Sequence, residues 1–352
     1  GKTVFPDQPT NLTVTNITSR SAKISWVYPL NEGIYNLSRF WIKLKKNNSP
    51  LPDIFIEKLN EYKVYNLTPF TTYHISVTAG NHRGFGEEFA ATSFSTCEEV
   101  PSGTPMDIKT VSRSASSLFI KWHPPEKSRR NGVIASYTAC ISHLENGPCF
   151  RTLTTSEGDW VVGNLNASTI YYARVLASNK AGPGNYSKSK EFFTNEDPAK
   201  NVLQTRKTLT FLLKIPTKTY LYFYVVAFKL TNAPEVLSPD YYEDNDLVTY
   251  AEMKNITNSK PYVAAVFTSS TVEGNIFVLG DGRITDDPTS RTKSDYFNGP
   301  LEPGTSYRIF QKIIINKKGD HYCTDWSVAS KTSDTKDTGT YFPTVRNCIY
   351  IA

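Results

Sequence analysis

The chain of 352 residues carries 39 basic and 33 acidic side chains, a net charge of +6, and 13% aromatic residues. So mild an excess of positive charge, with no dense cationic stripe, argues against a nucleic-acid partner. The longest apolar run, Leu221 to Phe228, stops at Lys229 and falls far short of the roughly 20 residues that a membrane span needs.

At about 100 residues per β-sandwich the length fits two to four domains, best three, each able to bury its own core. Abundant Thr, Ser, Val and Tyr, with Pro and Gly at scattered turns, favours an all-β protein, and no capped helix stands out. Domains are expected at 1–97, 98–197 and 198–335, followed by a tail at 336–352.

In the first, Leu12 to Val14 begin a strand, Trp26 sits on the second strand and Phe40 to Leu44 form the third. Then Tyr73, Ile75, Val77 and Ala79 alternate with His74, Ser76 and Thr78, the period of a half-buried strand. Leu67, six residues ahead, lets Tyr73 sit at a sandwich corner with its ring in the core and its hydroxyl bonded to upstream backbone. The spelling returns 98 residues later: Leu165, Tyr171, Val175, Ala177 and Asn179 answer their counterparts, Gly182 and Gly184 answer Gly84 and Gly86, and Trp122 answers Trp26. One unit therefore recurs.

The second unit starts near Pro105 after a short Pro- and Gly-containing linker, which favours a semi-rigid rod. Lys127 to Arg130 is the most basic short stretch and reads as a solvated loop between strands. Asn146-Gly147 is a hairpin turn signal. If Tyr137, Ala139 and Ile141 point inward, Cys140 points outward, and a partner on the adjacent strand, Cys149, falls within disulfide reach. A Cys323 to Cys348 bond would tie the tail onto the third domain, leaving Cys97 over.

The third domain departs from the pattern. Leu301 and Tyr307 repeat the leucine-to-tyrosine offset, and Leu209 to Leu213 and Leu221 to Phe228 read as buried strands, yet no tryptophan stands before Pro216. A polar insertion from Thr231 to Pro261 carries a short helix around Leu247 to Lys254 as an option. Both a modified sandwich and an α+β module fit, the first better.

The ordered set of proline, tryptophan, leucine, tyrosine, asparagine and paired glycines resembles the fibronectin type III module over at least the first two hundred residues. The fold class that follows is all-β, tandem sandwiches with a divergent third domain, in which Trp26, Tyr73, Trp122, Tyr171 and Tyr307 are structural. Within the third domain Pro261 to Phe267, Phe277 to Gly282 and Tyr296 to Tyr307 look like the membrane-proximal ectodomain of receptor-type protein tyrosine phosphatases. That resemblance implies a cell-surface protein whose phosphotyrosine or phosphoinositide phosphatase lies in a cytoplasmic part, with the membrane crossed by a span outside this chain. It also implies an extracellular protein ligand or self-association; the alternative is an adhesion or matrix protein with no enzyme.

Eight Asn-x-Ser/Thr sequons, more than chance gives, agree with an exported protein. Asn11, Asn16, Asn36, Asn66, Asn166, Asn185 and Asn255 are the candidate glycosylation sites; Asn47, and to a degree Asn66, are weakened by a following proline. The chain begins without a Met or a signal peptide and reads as part of a longer ectodomain.

Catalytic chemistry is not expected. A tyrosine phosphatase needs a thiolate cysteine with a phosphate-clamping arginine six positions on, and no cysteine here has one. The five histidines lack metal-ligand spacing, and Asp240, Glu243, Asp244 and Asp246, like Asp281, Asp286 and Asp287, lack that of a calcium loop. Lys318-Gly-Asp320 resembles an integrin-binding tripeptide, which recurs by chance. No cofactor or metal is expected.

Overall fold

The computed structural model describes residues 3–231, 236–289 and 295–335. The first repeat contributes β1 (Thr10–Thr15), β2 (Ala22–Val27), β3 (Arg39–Lys46), β4 (Ile54–Glu57), β5 (Glu61–Val64), β6 (Thr72–Asn81) and β7 (Ala90–Ser95). The second contributes β8 (Met106–Arg113), β9 (Leu118–His123), β10 (Ser136–Ser142), β11 (Cys149–Thr155), β12 (Asp159–Val162), β13 (Ile170–Asn179) and β14 (Lys190–Phe193). The third has β15 (Lys200–Gln204), β16 (Leu209–Leu212), β17 (Tyr222–Leu230), α1 (Tyr250–Asn255), β18 (Tyr262–Thr268), β19 (Ile276–Leu279), β20 (Ser306–Ile314) and β21 (His321–Cys323).

The strand order is the same in all three. A three-stranded sheet runs β1-β2-β5, then β8-β9-β12, then β15-β16-β19; a larger sheet runs β4-β3-β6-β7, then β11-β10-β13-β14, then β18-β17-β20-β21. The third domain is thus the modified sandwich. Its missing tryptophan is explained by register: Ala22 faces Val64, Leu118 faces Val162 and Leu209 faces Leu279 across equivalent pairs. Counting on four residues, Leu213 stands where Trp26 and Trp122 stand. All three donate their amide to the same kind of carbonyl, that of Asn275, Asn60 and Gly158 respectively.

The chain gathers into two compact units: residues up to Ile108 with Trp122–Gly158 and Ala173–Lys190, and Lys109–Lys121 with Asp159–Tyr172 and the residues from Glu191 on. In the first repeat Ile24, Trp26, Phe40, Ile42, Tyr73 and Val77 form the core. In the third, Leu209, Phe211, Phe223, Val225, Tyr262 and Ile309 do.

The insertion between β17 and β18, of which residues 236–261 are described, joins Tyr296 and Trp326 from later segments in giving the third sheet a second buried face. Tyr224, Val226, Val266, Phe310 and Ile314 point away from the main core and are covered by Tyr242, Leu247, Tyr296 and Trp326. Trp326 meets Phe310 edge-on at 4.6 Å and Tyr242 at 6.0 Å. This is why Leu221 to Phe228 lacks alternation: a strand covered on both faces reads as a continuous apolar run. The insertion, polar in sequence, is held by its aromatic residues. Its helix α1 carries a capping box, in which the Thr249 hydroxyl accepts from the Glu252 amide at 3.2 Å and the Glu252 carboxylate accepts from the Thr249 amide. Thr249-x-x-Glu252 is a start signal legible in the chain.

Candidate interaction surface

Three corners hold the modules. The Tyr73 hydroxyl accepts from the Thr68 amide at 2.7 Å, Tyr171 from Asn166 at 2.9 Å and Tyr307 from Glu302 at 3.0 Å. Each ring is about 2% exposed, so a large apolar body is buried while its polar end stays bonded. Burial pushes the Tyr307 phenol up to about 12, against the bond from Glu302. A threonine missed in the sequence closes each corner: Thr96, Thr194 and Thr332 donate to the carbonyls of Thr68, Asn166 and Glu302, each at 2.6 Å, and accept from the amides of Thr71, Thr169 and Thr305. The signal was present, since Thr96 and Thr194 share the 98-residue period.

The repeated asparagine and glycines position the segment that leads into each module. Asn81 donates its side-chain amide to the Val4 carbonyl, and Asn179 to those of Glu99 and Arg130. A Cβ on Gly86 would lie 2.7 Å from the Pro6 carbonyl, and one on Gly184 2.7 Å from that of Pro101. Only glycine admits the backbone that closely.

Linker residues between the first two modules are all engaged. Arg20 grips Glu99 through two nitrogens at 2.9 and 3.0 Å, holding that carboxyl below its usual range. Glu98 accepts from the Val133 and Lys180 amides. Lys127 to Arg129 of the basic stretch are exposed, as expected of a solvated loop, while Arg129 donates to the Ser102 carbonyl and Arg130 to that of Pro125. The linker and its neighbours consume these groups.

The outer face of the first module's larger sheet is different. Strand β3 buries Phe40, Ile42 and Leu44 and turns Arg39, Trp41, Lys43 and Lys45 outward. Trp41 lies opposite Phe55 on β4 and Thr78 on β6. Its ring stacks on Phe55 at 5.9 Å and meets Phe85 at 5.6 Å, while Phe55 and Phe85 are 5.8 Å apart. Cations sit over this cluster: Lys43 Nζ is 4.2 Å from the Trp41 ring centre and the Arg39 guanidinium 4.6 Å from that of Phe85. A shallow groove of about 700 Å³ runs beside it, lined by Trp41, Lys43, Lys45, His74, Phe89 and Thr92. Phe55 and Phe89 are 61% and 54% exposed. Aromatic rings with arginine, apolar at the centre and polar at the rim, are the composition of protein-binding patches. The equivalent face of the third module is covered by Tyr242 and Trp326.

All seven candidate glycosylation asparagines, and Asn47, are exposed. Cys140 and Cys149 are joined, with Cα atoms 5.5 Å apart. Cys140, which alternates with the core residues Ala139 and Ile141, is nonetheless 0% exposed. It faces Thr152 directly, while Cys149 faces Ser142 beyond a register shift, so the bond runs diagonally across the hairpin. Cys97 is an exposed free thiol and Cys323 a buried one, whose burial pushes its thiol well up; Cys348 and the 336–352 tail lie outside the described residues. The Asp320 carboxylate of the Lys-Gly-Asp tripeptide accepts from Asn316 at 2.7 Å and so is used within its own turn. Among the described residues no His, Cys, Asp and Glu group could hold a metal, and no helix is long and apolar enough to cross a membrane.

Comparison with known proteins matches the fibronectin type III domain family to residues 7–95 and 103–193. Relatives include cell adhesion molecule Dscam1 of Drosophila melanogaster, 31% identical over 54% of this chain and 10% of that protein. Human protein sidekick-1 is 29% identical over 76% of this chain and 13% of its own length. Receptor-type tyrosine-protein phosphatase F of Danio rerio is 29% identical over 52% of this chain and 10% of its length. The chain thus spans about a tenth of the relatives it matches. Among solved structures, the chicken CNTN1 FN1-FN3 domains align over 93% of this chain and 99% of theirs, at 16% identity and a TM-score of 0.42.

Proposed function

This chain belongs to the fibronectin type III family, and from that premise we propose that it is an extracellular segment of a cell-surface protein, a spacer that presents a binding face to a protein ligand or to a second copy. The observation that carries this reading is the open face around Trp41, Phe55 and Phe85, where an apolar cluster under two cations is left uncovered while the matching face of the third module is closed by its own chain. The adhesion molecules among its relatives and the exposed sequons support an extracellular setting. The test is capture by beads coated with the glycosylated chain: they should aggregate or bind cells, and substitution of Trp41 and Phe55 by Ser should abolish it with the fold intact. Beads that stay dispersed and bare on every cell type tested would reject the reading.

The finer reading is a receptor-type phosphatase, with the third module next to the bilayer and the enzyme in a cytoplasmic part. Gly280-Asp-Gly282 and Asn298-Gly-Pro-Leu301 before Tyr307 favour it, as does the phosphatase among the relatives. Sequencing the full transcript decides: a membrane span and a Cys-x5-Arg signature beyond Ala352 support it, and a stop codon without either leaves the adhesion protein. The segment alone carries no Cys-x5-Arg signature for the reaction, so pure protein should not turn over a phosphotyrosine or phosphoinositide substrate, and turnover would overturn that statement.

A further inference from the structure

The insertion of the third module does more than cover a sheet. Its Asp240 carboxylate reaches the second module, lying 3.2 Å from Arg113 Nε at the end of β8. Two residues earlier, the Ser238 hydroxyl donates to the Arg113 carbonyl at 3.1 Å. Beside this pair a second carboxylate makes the same crossing. Asp325, after β21, accepts from the Ala115 amide at 2.8 Å and from the Asn195 side chain at 3.0 Å. Asn195 in turn donates to the Arg113 carbonyl. Backbone completes the contact: Glu196 donates to the Cys323 carbonyl and accepts from the Asp325 amide, both at 3.0 Å.

We infer that residues 236–246 of the insertion form a clamp between the second and third modules, anchored on Arg113 and Asp240, which makes the two move as one body. A hydrogen-bonded linker alone would leave a hinge. Here two carboxylates from separate segments of one module grip the end of the other, which removes rotation about the linker as well as extension.

The clamp is built on a carboxylate that is costly to bury. Asp240 faces Arg113 from the second module, Cys323 from β21, Asp325 from the loop beyond it, and Lys312 from β20. Lys312 is itself paired with Asp244 at 2.7 Å, so Arg113 is the cation on which the Asp240 charge depends. Burial raises the Asp240 carboxyl to about 6, against the pull of Arg113. Protonation of Asp240 is therefore the other way to relieve this buried charge when Arg113 is absent.

Hydrogen exchange on the full chain tests this through the amides of Ala115, Glu196 and Asp325, which close only when the modules are docked. Arg113→Ala should lower their protection at pH 7.5 by at least about tenfold, since it leaves a buried charge unpaired, and protection should return towards the native value at pH 5. Arg113→Ala with Asp240→Asn should restore protection at both pH values, because no charge remains to be paired. An Arg113→Ala loss that is equal at both pH values and unrescued by Asp240→Asn would overturn the clamp, as would native protection of these amides no greater than that of exposed loops. Amides of the Tyr307 corner report folding of the third module separately, so a misfolded variant is recognised.

Discussion

The Thr332 hydroxyl lies 2.6 Å from the Glu302 carbonyl, and that one bond places the divergent third module in register with the other two. The same residue type makes the same bond at Thr96 and Thr194. Thr194→Val keeps the shape and removes the hydroxyl, orphaning the Asn166 carbonyl and the Thr169 amide. It should cost about 1–3 kcal/mol, read as a lower denaturant midpoint for the second module's transition.

At the corner itself two substitutions separate packing from hydrogen bonding. Tyr171→Phe removes the partner of the Asn166 amide while keeping the ring and should cost about 1 kcal/mol. Tyr171→Ala empties a site about 2% exposed and should cost about 3–5 kcal/mol. Chemical denaturation of both variants checks this, and an alanine loss below about 1 kcal/mol would place the ring on the wrong face.

Asp240 makes stability depend on pH in an unusual direction. A carboxyl whose folded value is raised from 3.8 to about 6 binds its proton more tightly when folded. Its favourable contribution is complete below 3.8 and is lost as pH rises through about 6. Asp240→Asn should therefore stabilise the third module at pH 7.5 by up to about 3 kcal/mol and flatten the profile between pH 4 and 7. Thermal melts across that range measure it; a variant less stable at pH 7.5 with an unchanged profile contradicts the assignment.

Reduction of the Cys140 to Cys149 bond should act locally. It closes a loop of sequence separation 9, and chain entropy gives about 2–3 kcal/mol for a ring that small. Exchange should rise in β10 and β11 while the Tyr73 and Tyr307 corners keep their protection.

The repeat was legible because its residues do the same job twice. Tyr73 and Tyr171, Asn81 and Asn179, and Gly86 and Gly184 each meet one steric or hydrogen-bonding demand that few residue types satisfy. The third module hid its kinship where that demand is looser: an apolar core position accepts Leu213 in place of tryptophan. The insertion misled differently, since its charges dominate composition while Tyr242 and Tyr250 decide its placement. The open face escaped notice because Trp41 and Phe55, read singly, look like any strand residues; only the pairing of β3 with β4 brings their rings together.

Identical modules in series would give a partner several equivalent berths, and it could bind one module too early or too late. This chain removes that ambiguity. The face that carries Trp41 in the first module has a bridged hairpin in the second, at Cys140 and Cys149, and lies under Tyr242 and Trp326 in the third. Among the described residues of the three modules, a partner that read this face would find it open in the first, so position along the array would be specified as well as length.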